Sequence, residues 1–423
     1  MQFILFRHEE ISLIAAIERL TGMGIKNQGT VFLVGLGHAA THWIIGSIYV
    51  LLPFIQQDLE LSYTAVGFLI SVFHISAFAA NFGSGLLVDV TGSRVFLMLV
   101  SLVLGALAFL GAGWAQELSF LLVIMVFVGI TNNLWHPPAI SFLSRLYPNS
   151  RGYTLSIHAF GASFGDIIAP LAIGFLLGLL TWQSTVKISA LPVFAVAILM
   201  GIFLIKYNFA KSGQNEDEKQ GLSISEYFKG YWTLLRDRGV VGLALMAAVR
   251  SLAQSGLMLF IPLYLANVLK VSPYLVGLGL AAMQLSGLVA GPIAGTWSDR
   301  IGRRPVVLAG LSGSTIVIAT LTLAGNEVMF IAGISTLGFM LFAVRPVVHS
   351  WMMDLAPSHM AGSATSLMFG AQSLLSAAGP LLGGLIADIW GLTFVFYALE
   401  GTMLVANVLV YLLPCQDAKT GEV

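Results

Sequence analysis

Ionisable and amide side chains are rare in the apolar parts of this chain, and several of them form pairs four residues apart. The pairs are His38 with His42, Asn132 with His136, Arg250 with Gln254, and Arg345 with His349. Residues at this spacing share one face of an α-helix. A charge at the centre of a lipid bilayer costs at least about 2.5 kcal/mol, so such a face must point at a partner or a cavity. The spacing therefore predicts polar helix faces that are turned toward a cavity or toward polar partners.

The two arginines indicate what such a cavity would bind. Arg250 and Arg345 carry permanent charges, and the planar guanidinium fork suits a carboxylate or a phosphate. The imidazoles around them would be mostly neutral at physiological pH. Two fixed cations among neutral rings favour an anionic or polar substrate. A structural ion pair is the alternative for either arginine.

Asp166 is the strongest candidate for a proton carrier. It lies near the middle of an apolar segment, roughly 20 Å from one end of the helix at 1.5 Å per residue. Low-dielectric surroundings favour the protonated form of a carboxyl group, so its protonation can follow the side of the membrane that the site faces. A histidine could carry the proton instead. The alternative for Asp166 is a fixed ion pair with Arg250, Arg345 or a histidine.

The predicted substrate and coupling site collects the polar side chains of these apolar segments. They are His38, His42, His74, Asn132, Asn133, His136, His158, Asp166, Arg250, Gln254, Gln284, Arg345 and His349. A hydrogen bond across a helix contact is the alternative for a lone histidine such as His74 or His158. His38 and His42 have the spacing of metal ligands. With no acidic residue near them, we predict no metal site and no cofactor, and leave a transported metal as an alternative.

Long apolar helices must position these side chains. Of the 423 residues, 57% are hydrophobic and 9% are charged, whereas a soluble domain carries about 25% charged residues. About 20 apolar residues span a bilayer as a helix. Twelve segments have this character: 30–54, 64–88, 95–115, 118–144, 153–180, 186–206, 239–266, 274–297, 305–325, 328–352, 362–387 and 392–413.

One short charged turn recurs in each half of the chain. It reads G-LLV-D-VT-G-S-R over residues 85–94 and G-TWS-D-RI-G-RR over residues 295–304. The shared positions are Gly85, Asp89, Gly92 and Arg94 in the first copy, and Gly295, Asp299, Gly302, Arg303 and Arg304 in the second. Offsets of 209 and 210 residues between equivalent positions recur along the chain. The two halves are therefore predicted to be copies of one membrane unit.

This turn resembles the loop motif of the major facilitator superfamily, the commonest family of secondary transporters, over residues 30–413. Within it, residues 135–170 resemble bacterial fosmidomycin-resistance-type permeases. Gly152, Gly161 and Gly165 have the spacing of a motif found in drug/proton antiporters of the superfamily, with Asp166 in place of its proline. The resemblance implies an all-α integral membrane fold of twelve transmembrane helices in two pseudo-symmetric six-helix bundles. Segments 1, 4, 7 and 10 would line the central path.

The resemblance also implies that the two turns gate the cytoplasmic side. Asp89 would lie against the helix start near Gly362, and Asp299 against the start near Gly152, where helix dipoles favour an anion. The bases Arg94 and Arg303 or Arg304 would pair with acids across the halves. The alternative is that the motif only sets the turn and the topology.

The distribution of bases predicts the orientation and the boundaries. Of the 20 Lys and Arg residues, 16 fall on the side where the first segment begins, two on the other side and two within segments. The excess places both termini in the cytoplasm. We therefore predict a cytoplasmic arm at 1–29, bundles at 30–206 and 239–413, a cytoplasmic linker at 207–238 and a cytoplasmic tail at 414–423.

The sequence thus predicts a secondary active transporter of the bacterial inner membrane, and no enzyme. It would move a small organic solute, anionic or amphipathic, by alternating access, with proton-coupled efflux. Uptake by a proton/solute symporter or a uniporter is the first alternative, and a non-transporting sensor or scaffold is the second. The expected partners are the solute, protons and membrane lipid. Zero net charge gives no indication of a nucleic-acid partner, and the family resemblance implies a monomer.

Overall fold

The structure, a computed structural model, describes residues 18–19, 21–205, 207, 232–357 and 360–413. Most of the predicted arm and linker and all of the predicted tail lie outside these residues. The helices are α1 Ile25–Asp58, α2 Tyr63–Thr91, α3 Arg94–Ala112, α4 Leu118–Leu134, its continuation α4′ His136–Leu146, α5 Arg151–Leu177, α6 Trp182–Leu204, α7 Arg238–Asn267, α8 Pro273–Ile301, α9 Arg303–Leu321, α10 Glu327–Leu355, α11 Ala361–Trp390 and α12 Leu392–Leu412.

Twelve helices in the described part of the chain are long and apolar enough to cross a membrane, with α4 and α4′ counted as one. Their bounds lie within a few residues of the predicted segments, which confirms the predicted fold class. We call the end of the bundle at which α1 begins the terminal face, and the opposite end the distal face. Both charged turns lie at the terminal face. There Gly92 has a φ of 64° and Gly302 a φ of 93°, a backbone conformation that glycine adopts without strain.

The two halves pack in the same way. In the first half α1 packs against α5 and α6, α2 against α4, and α3 against α6. In the second half α7 packs against α11 and α12, α8 against α10, and α9 against α12. The principal contacts between the halves are α2 with α11 and α5 with α8. Each helix of one contact is the repeat equivalent of a helix in the other, because α2 corresponds to α8 and α5 to α11. A pseudo-two-fold axis between parallel repeats requires this relation.

Each half has its own aromatic core. Trp135 is fully buried in the first half, and Phe260, Phe330 and Phe396 are fully buried in the second. Large apolar side chains on the outer faces remain exposed, for example Ile198 at 62%. Since exposed apolar surface of this extent is unfavourable in water, the outer faces suit lipid.

Two glycines bring the halves together near the distal face. A Cβ atom built at Gly67 of α2 would overlap the carbonyl oxygen of Pro380 in α11. A Cβ atom built at Gly277 of α8 would likewise overlap the carbonyl oxygen of Pro170 in α5. Both members of one contact lie 210 residues from their equivalents in the other. We call these two contacts the glycine–proline contacts.

We expect a bulky residue at Gly277 to open the distal face. Overpacking typically costs about 1–3 kcal/mol. The Gly277→Val substitution would destabilise the closed conformation by this amount and would leave the open conformation unaffected. The population of the open conformation should therefore rise about 5- to 150-fold. The measurement is the rate at which an impermeant maleimide labels Ser71→Cys from the distal side, on a Cys415→Ser background. Ser71 is buried directly below the contacts.

The matched control is Gly291→Val on the same helix. A Cβ atom at Gly291 meets no atom within 4 Å, so this variant should label at the rate of the parent. Equal labelling of the Gly277 and Gly291 variants would contradict the role given to the glycine–proline contacts.

Candidate functional site

Four of the predicted histidines meet in the first half. The rings of His38 and His158 are stacked with centroids 3.9 Å apart. The ring of His38 also contacts His42 on the next turn of α1 and His136 at the start of α4′, with centroids 4.8 Å and 5.0 Å away. The structure thus brings together residues of α1, α4′ and α5 that the sequence had placed on separate segments.

Hydrogen bonds fix the tautomers of two of these rings. Nδ1 of His38 lies 2.7 Å from the carbonyl oxygen of His158. Since a carbonyl oxygen only accepts, the hydrogen of a neutral His38 is on Nδ1 and the lone pair is on Nε2. Trp135 donates its indole N–H to Nε2 of His158 at 3.2 Å. Nε2 of His38 is buried and has no hydrogen-bond partner among the described residues.

Asp166 pairs with His42. The distance from Oδ1 of Asp166 to Nδ1 of His42 is 3.0 Å, and both side chains are about one quarter exposed. The expectation that no acidic residue lies near the α1 histidines is therefore wrong, because helix packing brings Asp166 beside them. A Cβ atom at Gly165 would overlap the carbonyl oxygen of Ala39, so glycine there lets α5 approach α1 closely.

Arg250 is buried in the second half without a carboxylate partner among the described residues. Its NH1 donates to Oε1 of Gln254 at 2.8 Å and to the carbonyl oxygen of Leu341 at 3.3 Å. Its Nε is buried and unpartnered in the part of the chain that the structure describes. An uncompensated buried charge is costly, so an anionic ligand would stabilise this arrangement. Within the described ranges, Arg250 therefore forms no ion pair of the kind considered from the sequence.

Arg345 lies at the gap between the halves. Its side chain is exposed, and it interacts electrostatically with His136 of the first half and with Arg250 and His349 of its own half. The His349 ring contacts Phe369, with centroids 5.0 Å apart. The guanidinium group of Arg345 therefore lies close enough to the histidine cluster of the first half to interact with His136.

The remaining predicted residues are dispersed. Asn132, Asn133 and Gln284 are half-buried. Asn132 lines a cavity of about 10 Å³, the room of a single water molecule. His74 lies apart from the other histidines, against Phe73, and its Nε2 is buried without a partner among the described residues.

The predicted contacts across the terminal face are not formed at the positions that can be assessed. Arg303 binds Asp299 and also Asp354, the latter at 2.9 Å, and both acids are in its own half. A Cβ atom at Gly152, where Asp299 was expected, meets no atom within 4 Å. Arg303 and Asp299 therefore pair within their own half in this conformation. Their contacts across the halves, which were expected only where this face is closed, stay a prediction.

The other bases of the turns also bond within their own halves. Arg94 donates to Oγ of Ser141 at 2.7 Å, and Arg304 donates to the carbonyl oxygen of Tyr411 at 2.7 Å. The side chain of Asp89 and the surroundings of Gly362 lie outside what the structure describes, so the contact expected between them stays a prediction.

The distal face is closed by a hydrogen-bonded network that sequence reasoning missed. Gln57 donates to Oδ1 of Asn267 at 2.7 Å, and Asn267 donates to Gln56 at 3.0 Å and to the hydroxyl of Tyr63 at 3.1 Å. Asp388 accepts the backbone N–H of Tyr63 at 2.8 Å. We call these five residues the distal network. Among the described residues, the two halves are therefore hydrogen-bonded to each other at the distal face, whereas the hydrogen bonds described above for the bases at the terminal face stay within one half.

We expect the Asp388→Ala variant to loosen the start of α2. Asp388 also accepts the N–H of Thr64 at 2.9 Å, and a hydrogen bond to a charged group contributes about 1.5–3 kcal/mol. Amide hydrogen exchange over residues 61–66 should then accelerate about 10- to 100-fold. The control is Asp58→Ala, whose carboxylate bonds Trp182 within the first half. Unchanged exchange in the Asp388 variant would refute this.

Comparisons with known proteins give consistent results. A family model described as Major Facilitator Superfamily matches residues 31–249 and 243–422. The multidrug resistance protein MdtG of Proteus mirabilis is 26% identical over 340 residues, which cover 79% of this chain and 81% of that protein. The phosphoglycerate transporter protein of Salmonella typhimurium is 23% identical over 406 residues, covering 90% of this chain and 87% of that one.

A solved structure shares the fold. A bacterial homologue of the human lysosomal transporter Spinster, in an inward-facing and occupied conformation, matches with a TM-score of 0.78. The match covers 92% of this chain and 96% of that chain at 16% sequence identity. At this identity the likeness concerns the arrangement of the helices.

Proposed function

Because this chain belongs to the major facilitator superfamily, and is thus a membrane transporter of small solutes and no enzyme, we propose that it exports a small anionic or amphipathic organic solute in exchange for protons. One observation carries the proposal. Arg250 is buried without a carboxylate partner among the described residues, and the exposed Arg345 interacts electrostatically with His136, whose ring lies 6.4 Å from that of His42 in the His42–Asp166 pair. Fixed cations for an anion therefore lie in one half, and an acid–base pair for a proton lies in the other.

The proposed movement is a rocking of the two halves. The bundles at 30–206 and 239–413, joined by the linker at 207–238, would turn about the site between them. The arm at 1–29 and the tail at 414–423 would both be cytoplasmic. We assign the terminal face to the cytoplasm because 16 of the 20 Lys and Arg residues fall on that side. In a bacterium the structure would then be the inward-open state.

The substrate class follows from the second half. A guanidinium group binds a carboxylate or a phosphate through two parallel hydrogen bonds. Arg345 is exposed, and Arg250 retains an unpartnered buried Nε atom within the described structure. Relatives named as a phosphoglycerate transporter and a probable sulfoacetate transporter support an anionic solute. The relative named as a multidrug resistance protein supports export.

The proton would travel on the His42–Asp166 pair. In the inward-open state both side chains are about one quarter exposed, so water can reach them from the terminal face. Rocking would turn the same pair toward the distal face. A proton taken up on that side would then be released on the other, while the arginines bind the solute in the opposite direction. In each cycle the His42–Asp166 pair would thus carry a proton in one direction, and the arginines would carry a solute molecule in the other.

Flux in proteoliposomes tests this function. A susceptibility panel in a strain that lacks its own exporters would first identify the solute. The purified chain would then be reconstituted with that solute under an imposed pH gradient. We expect the solute to move against the direction of the protons and to stop when an ionophore collapses the gradient. Movement of the solute in the same direction as the protons would indicate symport. A flux that is independent of the pH gradient would show that transport is not coupled to protons.

A further inference from the structure

We propose that His38, His42 and His136 form a binding site for a divalent transition-metal ion between α1 and α4′. A site for a metal goes beyond the proposed transport of an organic solute, and it does not depend on it. One nitrogen from each ring lies within 4.8 Å of a nitrogen of the other two. These distances are short enough for small side-chain rotations to bring all three nitrogens onto one ion.

The ring positions suit tetrahedral coordination. A Zn–N distance of about 2.0–2.1 Å places the centroids of two coordinating imidazoles roughly 5 Å apart. Here the centroid separations are 4.8 Å for His38 and His42, 5.0 Å for His38 and His136, and 6.4 Å for His42 and His136. Two of the three centroid separations therefore match this value, and rotation of the rings would bring their nitrogens together.

The tautomers are those that a metal requires. A metal-bound imidazole usually donates its other N–H to a carbonyl or a carboxylate, which orients the ring and fixes the lone pair. Nδ1 of His38 does this toward the carbonyl oxygen of His158 at 2.7 Å. Nδ1 of His42 does it toward Asp166 at 3.0 Å. Both Nε2 lone pairs are therefore left for the ion.

The buried Nε2 of His38 is the second indication of a ligand. His38 is 6% exposed, and its Nε2 has no hydrogen-bond partner in the described part of the chain. A buried acceptor without a partner costs about 1–3 kcal/mol. A metal ion bound to this lone pair would remove that cost. His158, whose Nε2 accepts from Trp135, would act as a positioning residue and not as a ligand.

The donor set selects the class of metal. Three imidazole nitrogens suit Zn²⁺, Co²⁺, Ni²⁺ or Cu²⁺ and do not suit Mg²⁺ or Ca²⁺, which prefer oxygen ligands. Three protein ligands also leave a fourth position for a solute or water. Asp166 binds Nδ1 of His42 and the ion would bind Nε2, so the two interactions use different atoms.

Metal binding to the purified full-length chain tests the site. The protein would carry no polyhistidine tag, would be stripped with a chelator in detergent, and would be titrated with Co²⁺ and then with Zn²⁺. We expect one ion per chain, a visible absorption band typical of tetrahedral Co²⁺, and displacement of Co²⁺ by Zn²⁺. His38→Ala and His136→Ala should each weaken the affinity more than 100-fold, beyond the loss of about 10- to 100-fold expected for the positioning variant Asp166→Ala.

Two matched controls are His74→Ala and His349→Ala, which remove intramembrane histidines outside the cluster and should bind as the parent does. The His136→Cys variant guards against misfolding, because a thiolate ligand should restore binding and add a sulfur charge-transfer band. Parental affinity in the His38 and His136 variants, or no binding by the parent at micromolar Zn²⁺, would overturn the proposal. Metal binding without solute flux would contradict the proposed function alone, and flux without metal binding would contradict this site alone.

Discussion

Replacing Asp166 by Asn is expected to uncouple solute movement from the proton gradient. The amide keeps the size of the side chain and an oxygen that can accept from Nδ1 of His42, but it cannot take up a proton. One proton exchanged per solute molecule supports a concentration ratio of about tenfold per pH unit, because each unit is equivalent to about 1.4 kcal/mol. The ratio should fall to about one in the variant, measured at steady state in proteoliposomes.

Solute-for-solute exchange separates this effect from misfolding. Exchange needs binding and rocking but no net proton movement, so the Asp166 variant should retain it. The matched control is Glu400→Gln in α12, an acid that is also half-buried in a membrane span and that should remain coupled. A concentration ratio near tenfold in the Asp166 variant would show that another group carries the proton.

Replacing Arg345 by Gln is expected to weaken the binding of an anionic solute about 10- to 150-fold. A hydrogen bond between charged groups contributes about 1.5–3 kcal/mol, and glutamine keeps a donor without the charge. The side chain of Arg345 is exposed, so its loss should leave the packing of α10 intact. The measurement is the solute Kd by calorimetry, together with the KM of exchange.

Two further variants sharpen this result. Arg345→Lys keeps the charge and loses the planar fork, so it should recover part of the affinity for a carboxylate. Arg304→Gln removes a guanidinium group that bonds the carbonyl oxygen of Tyr411 at the terminal face, and it should bind solute normally. Equal solute affinity in Arg345→Gln and the parent would show that Arg345 does not bind the anion, and Arg250 would be the next residue to test.

Helical periodicity was sufficient to predict that the two histidines of α1 share a face. Residues four apart fall on one face wherever the segment is helical, and the structure places His38 and His42 on one such face. The partner of His42 could not be predicted in this way, because Asp166 lies 124 residues further along the chain. That contact depends on how closely α5 approaches α1, which is decided at Gly165 by packing rather than by local spacing.

The contacts at the two faces show a second limit to what can be predicted from the sequence. A transporter that alternates between states needs two sets of contacts, and a sequence does not state which set is made. The charged turns were easy to recognise, yet Arg303 bonds within its own half in this state. The distal network was missed because amide side chains at segment ends are unremarkable. One sequence signal was available. Gln57 and Asn267 lie 210 residues apart, which is also the offset between the two charged turns.

The glycine–proline contacts have a consequence for how the distal face opens. The pseudo-two-fold axis converts one contact into the other, so a single rigid rotation makes or breaks both together. Neither contact has an intermediate position of its own, because close-packed backbone atoms either fit or clash. The chain should therefore switch in an all-or-none manner, with the internal cooperativity of a symmetric dimer whose two subunits have been fused into one polypeptide.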